Sequence, residues 1–325
     1  MENKTTAAIL RMRREIQEFC QKHSRLLRIV SKFIVSFLLF YTINDLYGGK
    51  GGTALMIALA LAVICAGLPM RYAYLFSVLQ TAVYLYQVSW DVLAFYLAAV
   101  LLSYLMICRI RPEAGVIIAF APLFFQMKLP FLLPLLVGMF SNMFGIGAMI
   151  FGVAFYYFGI YVQDVALLLN AATGDENIIA VKNVMEAFSK DQQCMLLMAA
   201  FVVAAVVMYL VYHQSFDYAW YIAILAGGLV GFFVYLAGGL IFDIQSRNVG
   251  YMVGILGAMI VAAVIQFFRC IIDYGSVEYI EFEDDEYYYY VKAVPKVTVL
   301  GEDFVAAQNI AEERTVRKFT QEDDK

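Results

Sequence analysis

The residues of this chain that could do chemistry are polar side chains inside or at the ends of long apolar runs. Burying such a group in lipid is costly, so it usually faces the interior of a helix bundle, where it can mark a substrate or ion path. The alternative for each residue is a hydrogen bond between helices with no further role. The candidate path residues are Asp45, Gln80, Gln87, Lys128, Asn142, Asp243 and Gln266.

The sequence carries no signature of catalysis. It has no phosphate-binding GxxxxGKS or GxxxxGKT motif, no HExxH and no GxSxG, and its only histidines are His23 and His213. The long polar loop at residues 164–192 contains neither arginine nor histidine, although an enzyme acting on anionic lipid-linked sugars would need such groups there. We therefore expect no enzyme, no cofactor and no metal site.

Composition indicates that the chain resides in lipid. Hydrophobic residues make up 63% of the 325 residues and charged residues 15%, and the mean hydropathy is +0.74. An ordinary soluble domain is about 45–50% apolar and about 25% charged. This balance excludes a soluble enzyme, a disordered or collagen-like chain and a nucleic-acid-binding protein. The expected partner is the lipid bilayer, and no nucleic acid is expected.

Apolar runs predict an all-α polytopic transmembrane bundle over residues 33–272, with about 10 spans or with eight spans plus a re-entrant hairpin. A straight span needs about 20 residues. The two alternatives differ at residues 114–145, where a short run to Met127 is followed by Lys128, Pro130 and Pro134. We expect two short tilted spans there. The runs are 33–47, 54–68, 72–88, 92–108, 114–127, 129–163, 193–213, 218–242 and 248–272.

Glycines predict where helices break and where they pack. Residues 131–163 as one helix would be about 50 Å long, too long for a single span. We expect a break at Gly145-Ile146-Gly147. In the last two runs the glycines are spaced so that helix backbones can approach closely, and the expected packing positions are Gly227, Gly231, Gly250 and Gly254.

Charge placement predicts the orientation. Residues 1–32 form a predicted basic amphipathic helix with a local charge of +5, and the tail at residues 273–325 has a local charge of −8. Lys and Arg concentrate on the cytoplasmic side of membrane proteins, so we expect a cytoplasmic N-terminus. An even number of crossings then places the tail in the cytoplasm and residues 164–192 outside, with an amphipathic surface helix at residues 177–189.

The tail predicts a small β element. Residues 277–299 alternate between apolar and polar side chains, with Asp284-Asp285 at a turn, which predicts a Tyr-rich β-hairpin on the cytoplasmic side of the last span. The opposite charges of the tail and the N-terminal helix suggest that they pair, or that they bind a cytoplasmic protein partner. A homo-oligomer is compatible with the sequence.

Three segments near the C-terminus carry a family resemblance. They are FDYAWYIA at residues 216–223, FDI at residues 242–244 and VEYIEFEDDEYYYYVKAVPKVTV at residues 277–299. They resemble the C-terminal part of an uncharacterised family of multi-pass membrane proteins from anaerobic Gram-positive bacteria. Some members carry the label ABC transporter permease. The resemblance implies a bacterial plasma membrane, and it implies no substrate and no catalytic residue.

Three functions are compatible with these features. Helices interrupted by glycine and proline in the middle of the chain favour a permease-like or transport-associated subunit, because such breaks are tolerated where they line a cavity. The alternative is a membrane scaffold or assembly factor that recruits cytoplasmic partners through its charged termini. An intramembrane enzyme acting on lipid-linked substrates is the third and least favoured.

Overall fold

A computed structural model describes residues 12, 15–16, 19–20, 22–47, 49, 51–169, 177–214, 218–242, 248–269, 278–283 and 288–293. The chain divides into two compact units. One is Arg25–Gln266, and the other combines Met1–Ser24 with Phe267–Lys325.

Helices account for nearly all of the described residues. A π-helical turn, Tyr104–Cys108, continues the fourth helix towards the arginines that follow it. The helices are α1 Ser24–Leu46, α2 Gly52–Gly67, α3 Tyr72–Val88, α4 Trp90–Ser103, α5 Ala114–Gln126, α6 Leu132–Phe140, α7 Met143–Leu169, α8 Asn177–Lys190, α9 Gln192–Tyr212, α10 Ala219–Ile241 and α11 Asn248–Arg269.

Six helices of the described residues are long and apolar enough to cross a membrane: α1, α4 with its π-helical turn, α7, α9, α10 and α11. Two more, α2 and α5, are apolar but shorter. Because a helix that exposes apolar residues on most of its surface needs lipid around it, the chain is an α-helical multi-pass membrane protein. This part of the predicted fold is confirmed, and the number of spans stays a prediction.

Helices α5 and α6, where a pair of tilted spans is expected, are both shorter than a full span. With 13 and nine residues, α5 and α6 are only about 20 Å and about 14 Å long, against about 30 Å of hydrocarbon. Seven of the nine residues of α6 are buried. Helix α6 is therefore a buried half-length helix, and whether this segment crosses the membrane twice or re-enters it stays a prediction.

The break between α6 and α7 also lies earlier than expected. Ser141 is extended, with φ −115° and ψ 171°, and the carbonyl oxygen of Asn142 accepts a hydrogen bond of 2.8 Å from the amide of Gly145 as α7 begins. The predicted break at Gly145-Ile146-Gly147 is wrong, because these glycines lie within α7. Glycines of α7 serve close packing: a Cβ on Gly152 would lie 2.7 Å from the Cβ of Ala121.

The predicted amphipathic helix in the long loop corresponds to α8. Its apolar face packs on α4 and α7, where Val184 is 2% exposed. Its opposite face is solvated, with an ion pair of 2.7 Å between Lys190 and Glu186. The placement of this loop outside the membrane stays a prediction.

In the second unit, two strands pair within the segment predicted as a hairpin. Strand β1, Glu278–Glu283, is antiparallel to β2, Tyr288–Ala293, in a register that runs from Glu278 opposite Ala293 to Glu283 opposite Tyr288. The turn lies outside the described residues. The cytoplasmic position of this element stays a prediction.

Candidate functional site

A buried polar cluster joins α1, α2 and α3 around Asn44, which is 2% exposed. Its Nδ2 donates a hydrogen bond of 2.6 Å to the carbonyl oxygen of Ala54. Its Oδ1 accepts hydrogen bonds from Nε2 of Gln80 and, at 2.7 Å, from the hydroxyl of Tyr84. Gln80 also donates to the carbonyl oxygen of Phe40 at 3.0 Å. These bonds hold three helices together. They favour, for Gln80, the alternative of a hydrogen bond between helices over a role in a path.

The two other predicted glutamines differ from each other. Gln87 lies seven residues after Gln80, on the same face of α3, but it is exposed near the end of the helix whereas Gln80 is buried. The two glutamines therefore do not form one site. Gln266 is 2% exposed and its Oε1 accepts a hydrogen bond of 3.3 Å from the hydroxyl of Tyr212. Gln266 therefore ties α11 to α9.

Asp45 and Lys128 lie at or beside the connection between α5 and α6. The Nε2 of Gln126 donates a hydrogen bond of 2.9 Å to Oδ2 of Asp45, at the end of α1. Lys128 is exposed and has a φ of 58°, a left-handed conformation that turns the chain from α5 towards α6. Within the described residues, its ammonium group has no carboxylate within ion-pair distance.

This connection is recessed relative to the start of α9. The ring of Phe131, next to the first residue of α6, lies 5.0 Å from the ring of Phe201. Phe201 is nine residues from the start of α9, which corresponds to about 14 Å along the helix axis. The beginning of α6 therefore lies near mid-length of a neighbouring helix of full transmembrane length.

Backbone amides in the connection between α5 and α6 donate hydrogen bonds to carbonyl groups of the protein. The amide of Leu129 donates to the carbonyl of Phe124 at 3.0 Å, and the amide of Leu132 donates to that of Leu129 at 3.0 Å. Non-helical backbone at membrane depth is tolerated only when its polar groups find partners in protein or water. The amides of Leu129 and Leu132 both have such a protein partner.

A cavity of about 480 Å³ lies between α5, α6 and the start of α7. Its polar lining residues are Arg111 and Glu113, just before α5, and Ser141 and Asn142, just after α6, so they share one end of the α5–α6 hairpin. The other lining residues are apolar except for the backbone of Gly145, and they include Phe120, Phe124, Leu133, Leu136 and Val137. Asn142 is the predicted path residue that this cavity contains, among those that the structure describes.

Arg111 and Glu113 line the cavity and are the candidate residues that the sequence analysis did not single out. Both are exposed at the N-terminal side of α5, and neither side chain makes a hydrogen bond or an ion pair within the described residues. Taken alone, Arg111 is only one of the basic residues that predict which side of the membrane is cytoplasmic. The signal that could have identified the pair is an Arg-Pro-Glu sequence directly before an apolar run that is too short to span.

Three of the four predicted packing glycines lie close to another part of the protein. A Cβ on Gly227 would lie 3.1 Å from the Cβ of Met208, and one on Gly231 would lie 3.1 Å from the Cβ of Ala204, so both pack α10 against α9. A Cβ on Gly254 would lie 2.7 Å from the carbonyl oxygen of Lys128. Among the described residues, Gly250 has no atom within 4 Å of that position, so no packing contact supports its predicted role there.

Asp243 lies outside the described residues. Within the part of the chain that the structure describes, no group of three or more His, Cys, Asp and Glu side chains could hold a metal ion.

Comparison with known proteins finds no family model, no curated protein and no solved structure that matches this chain. The family resemblance of residues 216–299 therefore stays a prediction.

Proposed function

We propose that the protein is a permease-like or transport-associated subunit whose substrate path runs along the α5–α6 hairpin. The observation that supports it most is the half-length helix α6, which is buried among the helices of the unit Arg25–Gln266 and borders a cavity of about 480 Å³. Transporters commonly place discontinuous helices at the membrane midplane, where the interrupted backbone lines a binding site. The cavity is within the range of about 300–1,000 Å³ of small-molecule sites.

The proposal includes a topology. Eight spans, α1 to α4, α7 and α9 to α11, surround a re-entrant α5–α6 hairpin in a bacterial plasma membrane. An even number of crossings keeps both termini on one side, and the basic N-terminal residues favour the cytoplasm. The cavity mouth at Arg111 then lies at the cytoplasmic face, because α5 follows the inner end of α4.

Cysteine labelling along α6 tests the proposed path. In a background with all five native cysteines replaced, Leu136→Cys places a thiol on the cavity wall, and Leu135→Cys places one in the packed core, where the native side chain is 1% exposed. In delipidated, detergent-solubilised protein, N-ethylmaleimide is expected to modify the first variant at least tenfold faster than the second. Equal protection of both thiols would contradict a path at α6.

The scaffold alternative draws support from a different observation. Met1–Ser24 and Phe267–Lys325 form a compact unit of their own, as expected of a module that binds a cytoplasmic partner. Pull-downs from native membranes with the full chain and with a variant ending at residue 276 distinguish the two functions. A stoichiometric protein partner lost on truncation, together with protection of both α6 thiols, would favour the scaffold.

A further inference from the structure

The cavity between α5 and α6 is amphipathic along its length. Arg111 and Glu113 stand at its exposed end. Beyond them the walls are apolar, formed by Phe120 and Phe124 of α5 and by Leu133 and Leu136 of α6. A soluble metabolite would gain little from such walls, whereas a molecule with a charged head and an apolar tail would bury each part against matching chemistry.

The depth of the cavity matches one leaflet. Its lining on α5 extends from Ala114 to Phe124, ten residues apart, which corresponds to about 15 Å along the helix. The hydrocarbon core is about 30 Å thick, so half of it is about 15 Å. An acyl chain that starts at the Arg111 end would therefore reach the recessed connection between α5 and α6.

The charges at the mouth point to the headgroup. The lining holds one guanidinium and one carboxylate, and neither has an ion-pair partner within the described residues. Guanidinium binds phosphate in a bidentate manner, and a carboxylate binds an ammonium group. A headgroup with phosphate and ammonium would neutralise both, whereas a headgroup with phosphate and no ammonium would leave Glu113 unpaired beside a negative phosphate.

We propose that this cavity binds a zwitterionic phospholipid with a primary ammonium group, with its phosphate at Arg111, its ammonium at Glu113 and one acyl chain between α5 and α6. Asn142 and Ser141, which also line the cavity, supply donors for the ester oxygens. The inference rests on the proposed function, since it names the substrate class of the same cavity.

Native mass spectrometry of the full chain tests the headgroup. Protein exchanged into micelles with equal amounts of phosphatidylethanolamine and phosphatidylglycerol is expected to retain the first about tenfold more, the effect of one charge-assisted hydrogen bond. Glu113→Gln should abolish this preference. Arg111→Gln should weaken retention of both lipids about tenfold, and the matched control Arg109→Gln, an exposed arginine outside the lining, should change neither.

A second pair of variants tests the location. Leu136→Trp fills the cavity, and Leu101→Trp adds the same ring on α4 at a site that is 57% exposed and outside the cavity. Only the first should lose the retained lipid. If it fails to fold, a phosphatidylethanolamine with a photoreactive acyl chain should label α5 and α6 of the unmodified protein.

Equal retention of the two lipids, a preference for phosphatidylglycerol, or labelling confined to other helices would overturn the proposal. Modification of the Leu136→Cys thiol combined with any of these results would leave the substrate path standing and reject only its lipid occupant.

Discussion

The polar groups of α1 and α3 and those at the mouth of the α5–α6 cavity are used in opposite ways. Around Asn44, the almost fully buried side chains of Asn44 and Gln80 bond to each other and to backbone carbonyls, and the partly buried Tyr84 bonds to Asn44. At the cavity, Arg111 and Glu113 are exposed and make no ion pair within the described residues. The difference teaches that a polar residue within an apolar run is more informative about function when its bonds are still open.

The comparison predicts its largest stability effect at the first region. Asn44→Leu should lower the free energy of unfolding by about 2 kcal/mol, because three hydrogen bonds are lost and each is worth about 0.6 kcal/mol inside a membrane. An SDS titration of the reconstituted protein measures this. The control Gln87→Leu, an exposed residue of α3, the helix that carries Gln80, should change it by less than about 0.5 kcal/mol. Equal effects of the two variants would show that the Asn44 cluster does not bind the helices together.

A somewhat smaller loss is expected where α7 packs on α5. The Cβ of Gly152→Ala would lie 2.7 Å from the Cβ of Ala121 and 3.2 Å from the backbone oxygen of Ile118. Because backbone cannot move aside cheaply, we expect a loss of about 1–2 kcal/mol in the same titration. Gly250→Ala, whose Cβ has no atom of the described residues within 4 Å, is the matched control and should be neutral or slightly stabilising. A neutral Gly152→Ala would mean that α5 and α7 are less closely packed.

The smallest loss is expected at the connection between α5 and α6. Gln126→Leu removes the bond to Asp45, which is exposed, so the free energy of unfolding should fall by about 0.5 kcal/mol. Lipid retention should stay unchanged, since Gln126 does not line the cavity. If the free energy of unfolding fell by more than about 2 kcal/mol, this bond would stabilise the protein as much as the buried hydrogen bonds of Asn44 do, which would contradict the expectation.

Much of the helical pattern could be predicted from hydropathy, and the reason is physical. Apolar runs mark helices because the backbone must bond internally in lipid, and the amphipathic pattern at residues 177–189 identified α8 to within a residue of its Asn177–Lys190 bounds. The short length of α6 was not readable, because residues 129–163 are almost uniformly apolar. Ser141 and Asn142 break that run, while the more conspicuous glycines at 145 and 147 serve packing.

The candidate site was predictable only in part, for a related reason. Asn142 could be identified as a polar residue in a broken region. Arg111 and Glu113 join it because α5, α6 and α7 converge at one end of the cavity, and convergence of separate helices leaves no local pattern. Gln80 and Gln266 satisfied the same sequence criterion as Asn142, yet Nε2 of Gln80 and Oε1 of Gln266 form hydrogen bonds within the bundle.

The central claim is that the connection between α5 and α6 lies within the membrane. Spin labels at Lys128→Cys and at Gln192→Cys, the exposed first residue of α9, measure it through their collision rates with oxygen and with a water-soluble nickel chelate. Phe131 lies about 14 Å along α9, and Lys128 precedes it by three residues, so the label at 128 should lie about 9 Å deeper than the label at 192. Equal depth at the outer headgroups would contradict a re-entrant hairpin and, with it, the proposed substrate path.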